Sequence, residues 1–139
     1  MKRVLEVCFI AFVIASTSMT GSQDPTKPML KPGISVQMPF SSQAVEMPAA
    51  DKENATVVTV TADGKLFLGV RPVELSALSS LNERLVYVKA DARASYQSVL
   101  TVLDALRGRS VVLLTAPGSN APKESITWPY GLKLSVGAQ

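Results

Sequence analysis

"RLVYVKADARASYQSVLTVLDALRGRSVVLLT", residues 84–115, changes periodicity twice, and those changes decide the fold. "RLVYVKAD" (84–91) is rich in β-branched and aromatic residues and reads as a strand. Tyr96, Val99, Leu100, Leu103 and Leu106 then recur at i, i+3, i+4, i+7 and i+10, the spacing of an amphipathic helix over 95–107. Ser95 is placed to accept from the first free N–H groups of that helix, and Gly108 to end it in a left-handed conformation. "SVVLLT" (110–115) is a short continuous apolar run, the mark of a buried strand. A strand, a helix and a strand in this order form a right-handed crossover, so 85–90 and 110–115 should lie parallel and adjacent.

Upstream, "ATVVTVTADGKLFLG" (55–69) holds two apolar runs around Asp63-Gly64. Asp-Gly between such runs predicts a hairpin, with a type I′ turn whose two central residues take positive φ. Pro72 then opens "VELSALSSLNER", where Leu75, Leu78 and Leu81 mark one face of a short helix with Pro72 in its first turn. "ISVQM" (34–38) alternates Ile34, Val36 and Met38 with polar residues, as a half-buried strand does. Residues 39–54 read as a loop, and in the C-terminal stretch 116–139 "LKLSV" reads as a short edge strand. Trp128-Pro129-Tyr130 reads as a cover for the core or a contact patch. The expected fold is α+β: a small two-layer domain over 34–115, ordered β-ββ-α-β-α-β, its mixed sheet carrying the helices on one face.

Composition removes several functions. The chain has 139 residues, room for one domain plus a tail, and its 47% hydrophobic content is enough for a core. A net charge of +3 comes from basic residues scattered singly, and aromatics make up only 6%, so no basic, stacking surface for nucleic acid is expected. With no histidine and Cys8 alone, a disulfide framework, thiolate catalysis and Cys/His zinc sites are excluded. The carboxylates are dispersed and no phosphate-cradling glycine loop occurs. We therefore expect no enzyme, no catalytic residues, no cofactor and no metal.

The N-terminus, "MKRVLEVCFIAFVIASTSMTG", admits two readings. Lys2 and Arg3, an apolar core from Val7 to Ala15, and small residues at Ser16 and Ser18 describe a cleavable export signal. Residues 4–20 as helix would instead span about 25 Å, against a hydrocarbon core of about 30 Å. Both readings export the rest of the chain, because Lys2 and Arg3 hold its start inside. Residues 21–33, "GSQDPTKPMLKPG", hold three prolines and two glycines and read as an extended tether. At roughly 3.1 Å per residue it would reach on the order of 40 Å.

Order and spacing of these features resemble the periplasmic domain of the ExbD/TolR family. The features are the Asp63-Gly64 turn, Gly69, Lys89-Ala90-Asp91 at a strand end, and Tyr96, Val99, Val102, Asp104 and Leu106 in the following helix. "GISVQMP" (33–39) resembles the family's short strand leaving the membrane. Each position also has ordinary structural work: Tyr96 burying its ring, Lys89 and Asp91 making a local turn or ion pair, Asp104 facing solvent.

The resemblance implies a bacterial inner-membrane protein. Residues 1–20 would be a single transmembrane anchor, with the C-terminal domain in the periplasm. It implies a homodimer inside a pentamer of an ExbB/TolQ-like membrane protein, passing proton-driven work to a TonB- or TolA-like partner. Strand 34–38 would be placed to pair across such a dimer. The family's essential residue is an acid near the cytoplasmic end of the span; Glu6 stands there, with Glu for the usual Asp and a shorter upstream flank. The alternative is a secreted periplasmic module with a cleaved signal, binding cell wall or a protein partner.

Overall fold

In the computed structural model, residues 33–117 and 129–134 are described. The readings for the anchor, Glu6, most of the tether and Trp128 lie outside the described residues. Among the described residues no helix is long and apolar enough to cross a membrane.

Among the described residues, eight strands form one mixed sheet: β1 (Phe40–Ser41), β2 (Val45–Glu46), β3 (Val57–Val60), β4 (Leu66–Leu68), β5 (Arg71–Pro72), β6 (Leu85–Ala90), β7 (Ser110–Pro117) and β8 (Tyr130–Leu134). Two helices interrupt them, α1 (Leu75–Ser79) and α2 (Tyr96–Ala105). The spatial order is β2-β8-β7-β6-β3-β4-β5, and β1 lies beside the end of β7. The central strands β3, β6 and β7 are parallel, with Leu85 opposite Ser110 and Lys89 opposite Leu114, as the strand-helix-strand reading requires. β4, β5, β8 and β2 add antiparallel pairs on either side. The class is α+β, as expected.

Alternation along each strand sorts the side chains into two layers. Val58, Val60, Val86, Val88, Ala90 and Val111 face the helices and pack with Leu78 of α1 and with Val102 and Leu106 at α2. Leu78 and Leu106 are fully buried, each contributing about 1.5–3 kcal/mol relative to exposure. On the opposite face Tyr87, Val112 and Leu114 pack with Met47 and with Ala50 of the 3₁₀ turn over Pro48–Asp51 that follows it.

Several expectations are corrected. The hairpin joins β3 and β4, but its turn is not type I′: Gly64 alone has positive φ (79°). Gly64 N–H donates to Thr61 O at 2.9 Å and Thr61 N–H to Lys65 O at 3.0 Å, the pattern of a three-residue loop with a glycine bulge. Asp63 keeps negative φ, and its carboxylate accepts from Thr61 Oγ1 and lies 2.7 Å from Lys65 Nζ. Pro72 does not open α1; it sits in edge strand β5, where its missing N–H costs no ladder bond. The helix starts after Glu74 and is shorter than expected; Arg109 Nη2 donates to the carbonyl of its last residue, Ser79, at 3.0 Å and also to Leu81 O beyond the helix.

In α2 the expected N-cap is present: Ser98 N–H donates to Ser95 Oγ at 3.1 Å. Its apolar stripe is Val99, Val102, Leu103 and Leu106 rather than one beginning at Tyr96. Tyr96 is the first helical residue and is 77% exposed, so its ring is not buried. Gly108, with φ 84°, stands two residues past the C-cap Leu106. Residues 39–54 are not simply loop, since they supply β1, β2 and the 3₁₀ turn. β8 is not an edge strand either; it lies between β7 and β2. Residues 34–38 show the expected alternation, with Ile34, Val36 and Met38 less exposed than Ser35 and Gln37. They nevertheless form no ladder, because their backbone is held by the end of β6.

Candidate functional site

The strand ends of β6 and β7 clasp the chain where it enters the domain. Lys89 Nζ donates to Ile34 O at 2.7 Å, and Gln37 N–H donates to Asp91 Oδ2 at 3.1 Å. Ala92 N–H donates to Gln37 O at 2.7 Å, and Ala116 N–H to Pro39 O at 2.8 Å. Alternation explains Lys89: Val88 and Ala90 point to the helices, so Lys89 points to the opposite face, where residues 33–38 run.

Asp91 organises the clasp. Its side chain is 3% exposed and accepts four hydrogen bonds. Arg93 supplies three of them, from its backbone N–H at 2.9 Å, Nε at 2.9 Å and Nη2 at 3.0 Å, and Gln37 supplies the fourth. The Arg93 guanidinium, followed by its backbone N–H, holds the carboxyl well below the usual carboxylate range, against the effect of burial. The bidentate Arg–carboxylate geometry is the strong, oriented kind. Arg93 itself is 67% exposed, so the carboxylate is fixed from the solvent side.

Beside the clasp is a cavity of about 140 Å³, bordered by Gly33, Met38, Val57, Thr59, Lys89 and Leu114. Burial pushes the Lys89 ammonium below the usual lysine range. Further along this face, Tyr130 Oη donates to Glu46 Oε1 at 3.2 Å and ties β8 to β2. Burial first, and then this bond, push the Tyr130 phenol up.

The structure brings Lys89 and Asp91 together with Ile34 and Gln37. Tyr96 is left in solvent, and Asp104 is placed outside, 3.3 Å from Arg107. Glu6 lies outside the described residues. Arg93 escaped sequence reasoning: a lone arginine two residues after an aspartate looks like a solvated charge. Among the described residues no three His, Cys, Asp or Glu side chains converge as metal ligands. Chemically, the arrangement grips backbone; it presents no nucleophile paired with a base.

Comparison with known proteins adds the context for this grip. The family model described as Biopolymer transport protein ExbD/TolR matches residues 4–118, a span that takes in Glu6, the clasped segment and strands β1 to β7. No curated protein matches the chain. The match covers most of the sequence, and the chain belongs to the ExbD/TolR family of biopolymer transport proteins.

Proposed function

We propose that this protein is the single-pass subunit of an inner-membrane, proton-driven complex that energises outer-membrane transport or envelope maintenance. The carrying observation is that one family match runs unbroken from residue 4 to 118, joining the apolar segment with Glu6 to the folded domain. In this reading residues 1–20 anchor the chain in the inner membrane, residues 21–33 are the tether and residues 34–115 form the periplasmic domain. Residues 116–139 extend it. The partners are a second copy of the chain, an ExbB/TolQ-like membrane pentamer and a TonB- or TolA-like protein. Its work is mechanical rather than enzymatic.

Glu6 supplies the titratable carboxylate. An ionisable side chain inside a membrane is costly unless it faces protein or water, so Glu6 faces the polar groups of the partner ring. There it takes a proton from one side and releases it to the other as the subunit moves. The clasp gives that movement a path into the domain. Tension on the tether arrives at Gly33 and meets Lys89–Ile34, then Asp91–Gln37, then Ala116–Pro39. Load therefore enters at the ends of β6 and β7, two of the three central strands of the sheet.

Two experiments test this reading. Intact mass of the chain from the membrane fraction should remain at 14.8 kDa; loss of about 2 kDa with a new N-terminus near Met19 would make the protein a secreted module instead. Proton flux through the reconstituted complex should be lost on Glu6→Gln.

A further inference from the structure

Strand register sets the floor of the cavity beside the clasp. Phe67, Thr59, Lys89 and Leu114 are Cα partners in turn across β4, β3, β6 and β7. Val58, Val60, Val88 and Ala90 face the helices, so Thr59 and Lys89 between them stand on the opposite face. Neighbouring strands lie about 4.8 Å apart, which puts these two side chains next to each other. Thr59, Lys89 and Leu114 border the cavity of about 140 Å³ from the sheet, and Met38 and Asp51 border it from the covering chain.

The polar groups of this cavity are not consumed by the protein. Among the described residues neither Lys89 nor Asp51 has an ion-pair partner. Lys89 Nζ donates once, to Ile34 O, which leaves two of its three N–H groups. Thr59 is only 1% exposed, and no hydrogen bond among the described residues engages its hydroxyl. Two donors therefore stand side by side on the floor, a carboxylate stands in the cover, and Met38 and Leu114 supply apolar wall.

The geometry points to a binding site for a small, free α-amino acid. Its carboxylate accepts from Lys89 and Thr59, its ammonium meets Asp51, and a short aliphatic side chain lies against Met38 and Leu114. A simple carboxylate would set a second anion beside Asp51, and a simple amine a second cation beside Lys89; the zwitterion pairs with both. A cavity of about 150 Å³ holds benzene, so the ligand has roughly six to eight non-hydrogen atoms. It would bridge the sheet to the chain clasped upon it and stabilise that cover by linkage. The site lies within the folded domain and does not depend on the anchored reading.

The test titrates the full chain, in phosphatidylcholine nanodiscs, with L-valine, with isovalerate, which lacks the ammonium, and with isobutylamine, which lacks the carboxylate. L-Valine should shift the amides of Gly33, Met38, Thr59 and Gly69 saturably by about 10 mM, tenfold above a millimolar Kd. The amide of Gly108, before the far end of β7, should not move. Asp51→Asn breaks none of the clasp bonds; it should weaken L-valine roughly tenfold and leave isovalerate no weaker. Thr59→Val, of matching shape, should weaken both. Absence of a saturable shift, an equal response to isovalerate or isobutylamine, or an Asp51→Asn chain that binds L-valine unchanged would overturn the site.

Discussion

On its helix side the sheet buries Val58, Val60, Val86 and Val88 completely under Leu78, Val102 and Leu106. The opposite side is covered by residues 33–39 and the 3₁₀ turn, a cover fastened by polar contacts that leaves a cavity beside Lys89. One face is closed by regular elements with matched apolar stripes. The other is closed by irregular chain held at a few named atoms. Close packing resists being opened by small changes, whereas a polar clasp can be undone one bond at a time. The proposed function puts the mechanical input on the second face, where the tether enters.

This contrast can be broken from either side. Leu106→Ala should cost the most, about 2–5 kcal/mol in denaturant unfolding, because it opens a cavity in the closed face. Gly131→Ala comes next. A Cβ there would lie 2.8 Å from Val112 Cγ1 and 3.0 Å from Leu113 O, so overpacking of about 1–3 kcal/mol is expected.

Asp91→Asn should weaken the clasp and change the response to acid. The folded pKa of Asp91 is depressed, so below the unfolded value of about 3.9 the unfolded chain binds more protons. The stabilisation is therefore present above that pH and is lost as pH falls towards the folded pKa. The natural chain should lose stability along this limb; the asparagine variant should start lower at neutral pH and show a flatter acid limb. Tyr96→Ala should do least, within about 0.5 kcal/mol, because the ring is in solvent. A large effect there would mean that Tyr96 serves a buried contact after all.

The same contrast explains what was legible in the sequence. β3, β6, α2 and β7 belong to the closed face, and their periodicities alone located them. Periodicity erred at Tyr96 because the helix begins one turn before its apolar stripe. Pro72 fits the φ of a first helical turn and of an edge strand equally, so only pairing with β4 decides between them. Asp63-Gly64 suits both a type I′ turn and a three-residue loop; the Thr61 and Lys65 contacts select the latter. The second face was scarcely readable. β1, β2 and the 3₁₀ turn are short, proline-flanked pieces whose order comes from distant partners, such as Ala116 for Pro39 and Tyr130 for Glu46. Likewise Lys89 and Asp91 were read as strand-end charges, and their grip on Ile34 and Gln37 spans more than fifty positions of sequence.

In the proposed function Glu6 carries protons and the clasp passes on the resulting motion. Its most direct test is proton flux in liposomes containing the chain with the proposed ExbB/TolQ-like partner, comparing the natural protein with Glu6→Gln and Glu6→Asp. The proposal predicts flux abolished by Gln and retained by Asp, with the complex assembled in all three cases. Undiminished flux in an assembled Glu6→Gln complex would contradict it.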